Sequence, residues 1–442
     1  MQLTIQEILQ ILNCNLNLEN TIVTNISTDT RSIQKGALFI AVKGENFDGH
    51  TFVKNALEKG ACAAIVSSYA SDADKNKQIL VKDTLAAYGA IGAYIRSQFK
   101  GVVIGLTGSA GKTTTKEEIK FVLSEFGKVY ATEGNKNNFI GVPQSLCNID
   151  LSADFAVIEM GMSATGEISR LTSYVQPDIA LITNVYPMHI EFFEDLKHIA
   201  FAKAEIFEGL KKDGIAIINA DTNYADVLID KAKEKTNRIL LFGKTHQPDA
   251  VFETQTEGEH YRYNAWAALS VVKALKLDVQ KAAAHIKDFS ALEGRGKQHV
   301  LKLPQGGTYT LINDSYSGQP EAMKLAIQAL HKMPCKGRKI AVLGKMAELG
   351  THSKEKHIEI GNTVKNTNID IVIGVCEEMK DMLACLPQSI KQYYFEDKTP
   401  LVDFLLKELL QNEDILLIKG ARYSSKLYQV ADELIQQGND NK

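Results

Sequence analysis

The chain has 442 residues, of which 45% are hydrophobic and 23% charged, and its formal net charge is −3. That length exceeds one ordinary hydrophobic core and fits about three units of roughly 150 residues. The near-neutral balance offers no basic surface for nucleic acid, and apolar runs such as 61–66 are too short to cross a bilayer.

The first residues lack a basic stretch followed by an apolar core, so no secretory leader is expected. Cys14, Cys62, Cys147, Cys335, Cys376 and Cys385 lie far apart and in no metal-ligand spacing. They read as reduced thiols, and a cytoplasmic enzyme is the expectation.

A first unit, 1–97, opens with a helix over 5–12. A strand at 38–42, a helix over 52–59 and a buried strand at 63–66 follow. Two polar loops interrupt it, one with Thr30 and Arg31, the other with Lys43, Gly44, Asp48, Gly49 and His50. Hydroxyls, cations and glycines suit a phosphorylated ligand, and they are also ordinary turn chemistry.

The second unit, 98–297, is organised around an apolar run, 101–106, that passes into Gly108, Ser109, Ala110, Gly111, Lys112, Thr113 and Thr114. A helical pattern is read from Glu117 to Phe126. Strand, glycine loop and helix N-terminus form a cradle for nucleotide phosphates, with Lys112 as mobile charge and the Thr113 hydroxyl placed for Mg²⁺. The strict eight-residue pattern wants glycine at 106, where Leu106 stands. A strand at 155–158 ends in Glu159, positioned as the acid that reaches the Mg²⁺. Another, at 179–183, leads through Asn184 to His189; Lys203 lies on the next helix, and a strand at 214–219 follows. A further helix and strand occupy 221–243, and a helix carrying Asn264 begins near 263. Strands alternating with helices argue for a parallel sheet with ligands beyond the strand C-termini.

The third unit, 298–442, reads as a second doubly wound α/β unit without a phosphate loop. Its strands are placed at 309–312, 339–343, 371–374 and 415–419, and its strand-end loops carry Asp314, Tyr316, Lys419, Arg422 and Ser424. A Mg-nucleotide unit beside another α/β unit suits a kinase, a hydrolase or switch, or a ligase that uses ATP to activate a carboxylate. Glu159 and His189 offer more than one Mg²⁺ requires, which favours the last.

The series 107–115, Glu159 to Gly161, Thr183 with Asn184 and His189, and Lys203 resembles the Mur ligases of peptidoglycan synthesis. Asp29 to Arg31, Gly36 to Phe39 and Lys43 to His50 are similar to the family's UDP-substrate domain. The motifs at 314–320 and 342–350 are similar to the branch that adds a dipeptide. The resemblance implies an α/β, three-domain architecture with a central P-loop parallel sheet and a C-terminal Rossmann-like domain. It implies transfer of the ATP γ-phosphate to the carboxylate of UDP-N-acetylmuramoyl-tripeptide, then attack by D-alanyl-D-alanine. Thr113, Glu159, His189 and a carbamylated Lys203 would hold two Mg²⁺; Lys203 as a phosphate or salt-bridge partner is the alternative. Asn264, Arg295 and Asp314 would surround the nucleotide, with Arg295 reaching the phosphates across the interdomain cleft. Asn138 and Tyr316 would face substrates, and Lys419, Arg422 and Ser424 the dipeptide carboxylate. A monomer whose units close on ligands is expected.

The sequence departs from the family at 314–320, which reads Asp-Ser-Tyr-Ser-Gly-Gln-Pro, at Lys345 where an acid is usual, and in a short 243–263 stretch. The rival expectations are an amide ligase with another acceptor and a weakened relative that only binds UDP-muramoyl peptides.

Overall fold

The computed structural model describes residues 3–44, 47–254 and 258–440, so Glu45 and Asn46 of the loop at 43–50, and part of the short stretch before Asn264, lie outside it. Three sheets follow in order. The first holds β1 (Ile26–Ser27), β2 (Leu38–Ile40), β3 (Ala63–Val66) and β4 (Gln78–Leu80), all parallel and in that order. The second comprises β5 (Val102–Thr107), β6 (Val129–Ala131), β7 (Phe155–Glu159), β8 (Ile179–Ile182), β9 (Ile215–Asn219) and β10 (Ile239–Phe242). Its strands are all parallel, ordered β10-β9-β8-β5-β7-β6. The inner strands are unbroken apolar runs because helices cover both faces, the condition under which a parallel sheet is stable. Chain order reverses around β5, so a crevice opens beyond the β5 end, between β7 and β8.

Register explains the displaced glycine. Leu106 pairs with Glu159 on one side and Leu181 on the other, and its side chain is fully buried. The position that the strict motif gives to glycine is here a core strand residue, and the loop tightens only after Thr107.

The third sheet holds β11 (Lys297–Lys302), β12 (Thr308–Asp314), β13 (Lys339–Gly344), β14 (Ile371–Val375), β15 (Lys391–Phe395) and β16 (Ile415–Lys419). Its order is β11-β12-β16-β13-β14-β15, with β11 antiparallel and the rest parallel. Both edge strands, β11 and β15, go beyond the strands read from sequence. Each is largely exposed and opens on a lysine, and β11 also ends on one, which weakens the apolar signal. We propose the three-unit division on these sheets.

Helix Thr84–Gln98 seats the first unit on the second. Its Asp83 cap accepts from the amides of Leu85 and Ala86, and Arg96 donates to the carbonyls of Val175 (2.8 Å) and Gln176 (2.9 Å). Apolar residues of both units share one core. Between Phe242 and Glu259 the described residues form one isolated bridge, Gly243 to His246, and no strand. Among the described residues no helix is long and apolar enough to cross a membrane.

Candidate active site

Residues 108–111 join β5 to a helix that starts at Lys112, five residues before the expected Glu117. The run of β-branched threonines masks the first turn in sequence. The Thr115 amide is the first to close, on the Gly111 carbonyl (2.8 Å), so the amides before it lack intrahelical acceptors. The loop takes its shape from two glycines. Gly108 has φ +153°, and a side chain there would collide with the Thr183 hydroxyl; Gly111 has φ +75°, and its Cβ would lie 2.8 Å from Asn264 Oδ1.

The segment after β8 holds this loop in place. Ser109 Oγ donates to the Tyr186 carbonyl (2.9 Å) and accepts from the Tyr186 amide (2.9 Å). The Ala110 amide donates to Asn184 Oδ1 (2.8 Å), while Thr183 Oγ1 and Asn184 Nδ2 donate to the Ala110 carbonyl at 2.8 and 3.0 Å. Thr183 and Asn184 therefore act by holding the phosphate loop.

A cavity of about 820 Å³ opens beyond these strand ends, between the central and C-terminal sheets. Its lining brings together Ser109, Ala110, Gly111, Lys112, Thr113, Thr114, Asn138, Glu159, His189, Lys203, Asn264, Arg295, Asp314, Tyr316, Lys419, Arg422 and Ser424; Gly108 sits behind it. Lys112 Nζ donates back to the Gly108 carbonyl (2.8 Å). Burial lowers its affinity for the proton, and Glu159 opposes that shift. Asn264 accepts from the Thr115 hydroxyl (3.1 Å).

Three groups in the cavity are left wanting. Glu159 is 1% exposed; its Oε1 accepts from Asn137 Nδ2 (2.7 Å) and the Thr113 hydroxyl (3.2 Å), but Oε2 has no partner among the described residues. His189 Nδ1 is likewise buried without a hydrogen bond, although Glu348 Oε2 of the C-terminal unit lies 2.6 Å away. The contact is close yet off the line of a ring N–H. Lys203 is 2% exposed, and the described residues give its amine no carboxylate and no acceptor. Burial, with Lys112 nearby, holds that amine well below the usual ammonium range. Unpaired buried polar atoms are costly, so such a cluster marks a place where ligands complete the bonding. The donor set suits Mg²⁺, which takes one or two carboxylates and fills its shell with phosphate oxygens and water. Among the described residues no three His, Cys, Asp or Glu side chains form a self-sufficient metal site.

The far wall has its own order. Arg295 lies 4.2 Å over the Tyr316 ring, and Arg422 stacks between Tyr316 (5.0 Å) and Tyr428 (4.3 Å). Burial raises the affinity of Asp314 for its proton, against the pull of Lys419.

Several expectations change. Lys419 is 1% exposed, and its amine donates to Asp314 Oδ2 (2.7 Å) and the Ser317 carbonyl (3.0 Å). It orients Asp314 and is not free for a dipeptide carboxylate. Asn138 Oδ1 accepts from the amides of Ile140 and Gly141, so it starts the next helix, and its neighbour Asn137 reaches Glu159. Lys345 pairs with Glu378 (2.5 Å) and does not line the cavity, so that family departure leaves the cavity wall untouched. The N-terminal group stands apart. Thr30, Arg31, Lys43, Gly44, Asp48, Gly49 and His50 line no part of the cavity. Arg31 pairs with Asp29 at 2.7 Å, and the Thr30 carbonyl accepts from Lys59. His50 Nδ1 meets Asp48 (2.6 Å), and its Nε2 accepts from the Ser67 amide (2.9 Å). Lys43 reaches Asp48 at 3.9 Å, and Gly44 closes on Phe47. Gly49 packs where a Cβ would stand 2.7 Å from the Val42 backbone. Asn137, Tyr186 and Glu348 were given no role from the sequence; the asparagine-rich loop was the signal for the first, and the motif at 342–350 for the last.

Comparison with known proteins decides the family. Residues 22–95 match the Mur ligase family, catalytic domain; 106–280 the Mur ligase middle domain; and 299–422 the Mur ligase, glutamate ligase domain. The chain is 34% identical to the UDP-N-acetylmuramoyl-tripeptide–D-alanyl-D-alanine ligase of Escherichia coli, over 98% of this chain and 99% of that one. It belongs to the Mur ligase family. The ligase of the same name from Bacillus subtilis is 33% identical, with 96% and 95% covered. MurF from Acinetobacter baumannii superposes with a TM-score of 0.88 at 27% identity, covering 99% of both chains. MurF ligase from Thermotoga maritima in complex with ADP gives 0.80 at 26%, covering 94% and 98%.

Proposed function

We propose that this Mur ligase joins D-alanyl-D-alanine to UDP-N-acetylmuramoyl-tripeptide at the expense of ATP, a cytoplasmic step of peptidoglycan precursor synthesis. The observation that carries the reading is the single cavity that unites a phosphate loop with unpaired acceptors and an unpaired amine. Relatives named for this reaction match along nearly their whole length, and one was solved with ADP.

The open amides of the first turn and Lys112 receive the ATP phosphates. Thr113 and Glu159 at one position, and His189 with Lys203 at the other, are the groups that would hold Mg²⁺, whose charge neutralises the transferring phosphoryl group. A neutral Lys203 amine is competent to add to CO₂: an N–C bond forms, one N–H proton leaves, and the neutral amine becomes an anionic carbamate. The γ-phosphoryl group passes to the tripeptide carboxylate as its bond to the bridging oxygen breaks, giving an acyl phosphate and ADP. The dipeptide amine attacks its carbonyl, and phosphate departs as the amide forms. Arg295 faces the phosphates from the far wall, and Asp314, held by Lys419, faces the nucleotide. Tyr316, Arg422 and Ser424 flank the incoming dipeptide, with Arg422 taking its carboxylate. The N-terminal loops at 29–31 and 43–50 hold the UDP end, outside the cavity, and the enzyme works as a monomer. Release of phosphate from ATP should require the UDP-tripeptide and D-alanyl-D-alanine together; turnover indifferent to every amine acceptor contradicts the reading.

A further inference from the structure

His189 and Glu348 come from different units, one after β8 of the central sheet and the other after β13 of the C-terminal sheet. Both backbones are left-handed, with φ +59° and +57°. A side chain in that region is disfavoured, and the strain persists only where the surroundings enforce it. The two segments also pack: a Cβ at Gly350 would lie 3.2 Å from Glu191. Nδ1 of His189 and Oε2 of Glu348 approach to 2.6 Å with no ring N–H directed along the contact. Glu348 has no other ion pair or hydrogen bond among the described residues, and the nearby cation Lys345 is engaged by Glu378.

With the His189 imidazole neutral and Nδ1 unprotonated, two lone pairs this close repel unless something positive lies before both. Neighbouring donors in an octahedral shell of ~2.1 Å bonds stand about 3 Å apart and off each other's axes. We infer that Glu348 is a further ligand for the divalent cation held at His189, so that cation binding and closure of the two units are one event. This rests on the two-cation reading above. It adds a donor from the opposite unit, and it explains why two strained residues face each other across the seam.

The test uses the full chain with a non-hydrolysable ATP analogue and Mn²⁺ as probe, free ion being counted by electron paramagnetic resonance. Small-angle scattering reads compaction in the same samples. Wild type should take up two Mn²⁺ and contract with the second. His189→Ala should keep one. Glu348→Ala should bind the second at least tenfold more weakly and lose the Mn²⁺-dependent contraction, with Glu348→Gln between them. If Glu348→Ala takes up both ions with wild-type affinity, the contact is an interdomain ion pair only and the inference falls, while the function stands. Should wild type itself bind a single Mn²⁺, the two-cation reading falls with it.

Discussion

The N-terminal strand-end loops and those around the central cavity carry the same kinds of side chain, histidine, carboxylate, lysine and hydroxyl, in opposite states. In the first region the histidine and the arginine are met by their own chain: His50 by Asp48 and Ser67, and Arg31 by Asp29. In the second, Glu159 Oε2 and His189 Nδ1 are buried without a hydrogen bond, and the amine of the buried Lys203 meets no acceptor among the described residues. Residue type does not separate a structural turn from a reaction centre; unsatisfied bonding capacity does.

The comparison can be broken at its strongest point first. Lys112→Ala removes the charge beside the transferring phosphoryl group and should lower kcat by about 10³-fold or more, with an unchanged melting midpoint. Lys203→Ala should also abolish turnover, by about 10²-fold or more. A short carboxylic acid should then restore part of it, because its carboxylate would replace the anion that a carbamylated lysine would supply; no rescue at any concentration removes the carbamylation. In the other region, His50→Ala should cost about 1–2 kcal/mol of stability, by leaving the Ser67 amide and the Asp48 cap short of a partner. The variant should keep its kcat. A raised KM for the UDP-substrate with an unchanged midpoint would show that His50 itself touches the UDP end and does not only shape the loop that holds it.

Glu118 sharpens the comparison from a third side. It is 3% exposed and without a hydrogen bond among the described residues, but it lines no part of the cavity. Burial raises its carboxyl to about 8 from an ordinary 4.5. Between those values the folded chain keeps the proton that the unfolded chain has released, so stability falls as pH rises through the window. Glu118→Gln should match wild type near pH 4.5 and melt a few degrees higher at pH 8. An equal difference at both pH values would show that Glu118 is not held protonated. An unpaired buried group thus marks a site only when it faces a space a ligand can enter.

Much of this was legible in the sequence. Unbroken apolar runs place β5, β7, β8, β9 and β16, and glycine spacing places the phosphate loop. Glu159 stands out because it ends such a run, and Lys203 through the resemblance to the family. What escaped depends on distance. Whether His50 is free is decided by Ser67, whether Lys419 is free by Asp314, and Glu348 reaches His189 only once two sheets are set side by side. The antiparallel β11 was hidden by its charges, since one exposed face leaves only a weak alternation.

The central claim is that the cavity activates a carboxylate by phosphorylation. It is tested most directly with UDP-tripeptide carrying ¹⁸O in its terminal carboxylate. One labelled oxygen should appear in the phosphate released during ligation, because the acyl phosphate gives up the bridging oxygen with its phosphoryl group. Ligation that releases wholly unlabelled phosphate would contradict the account.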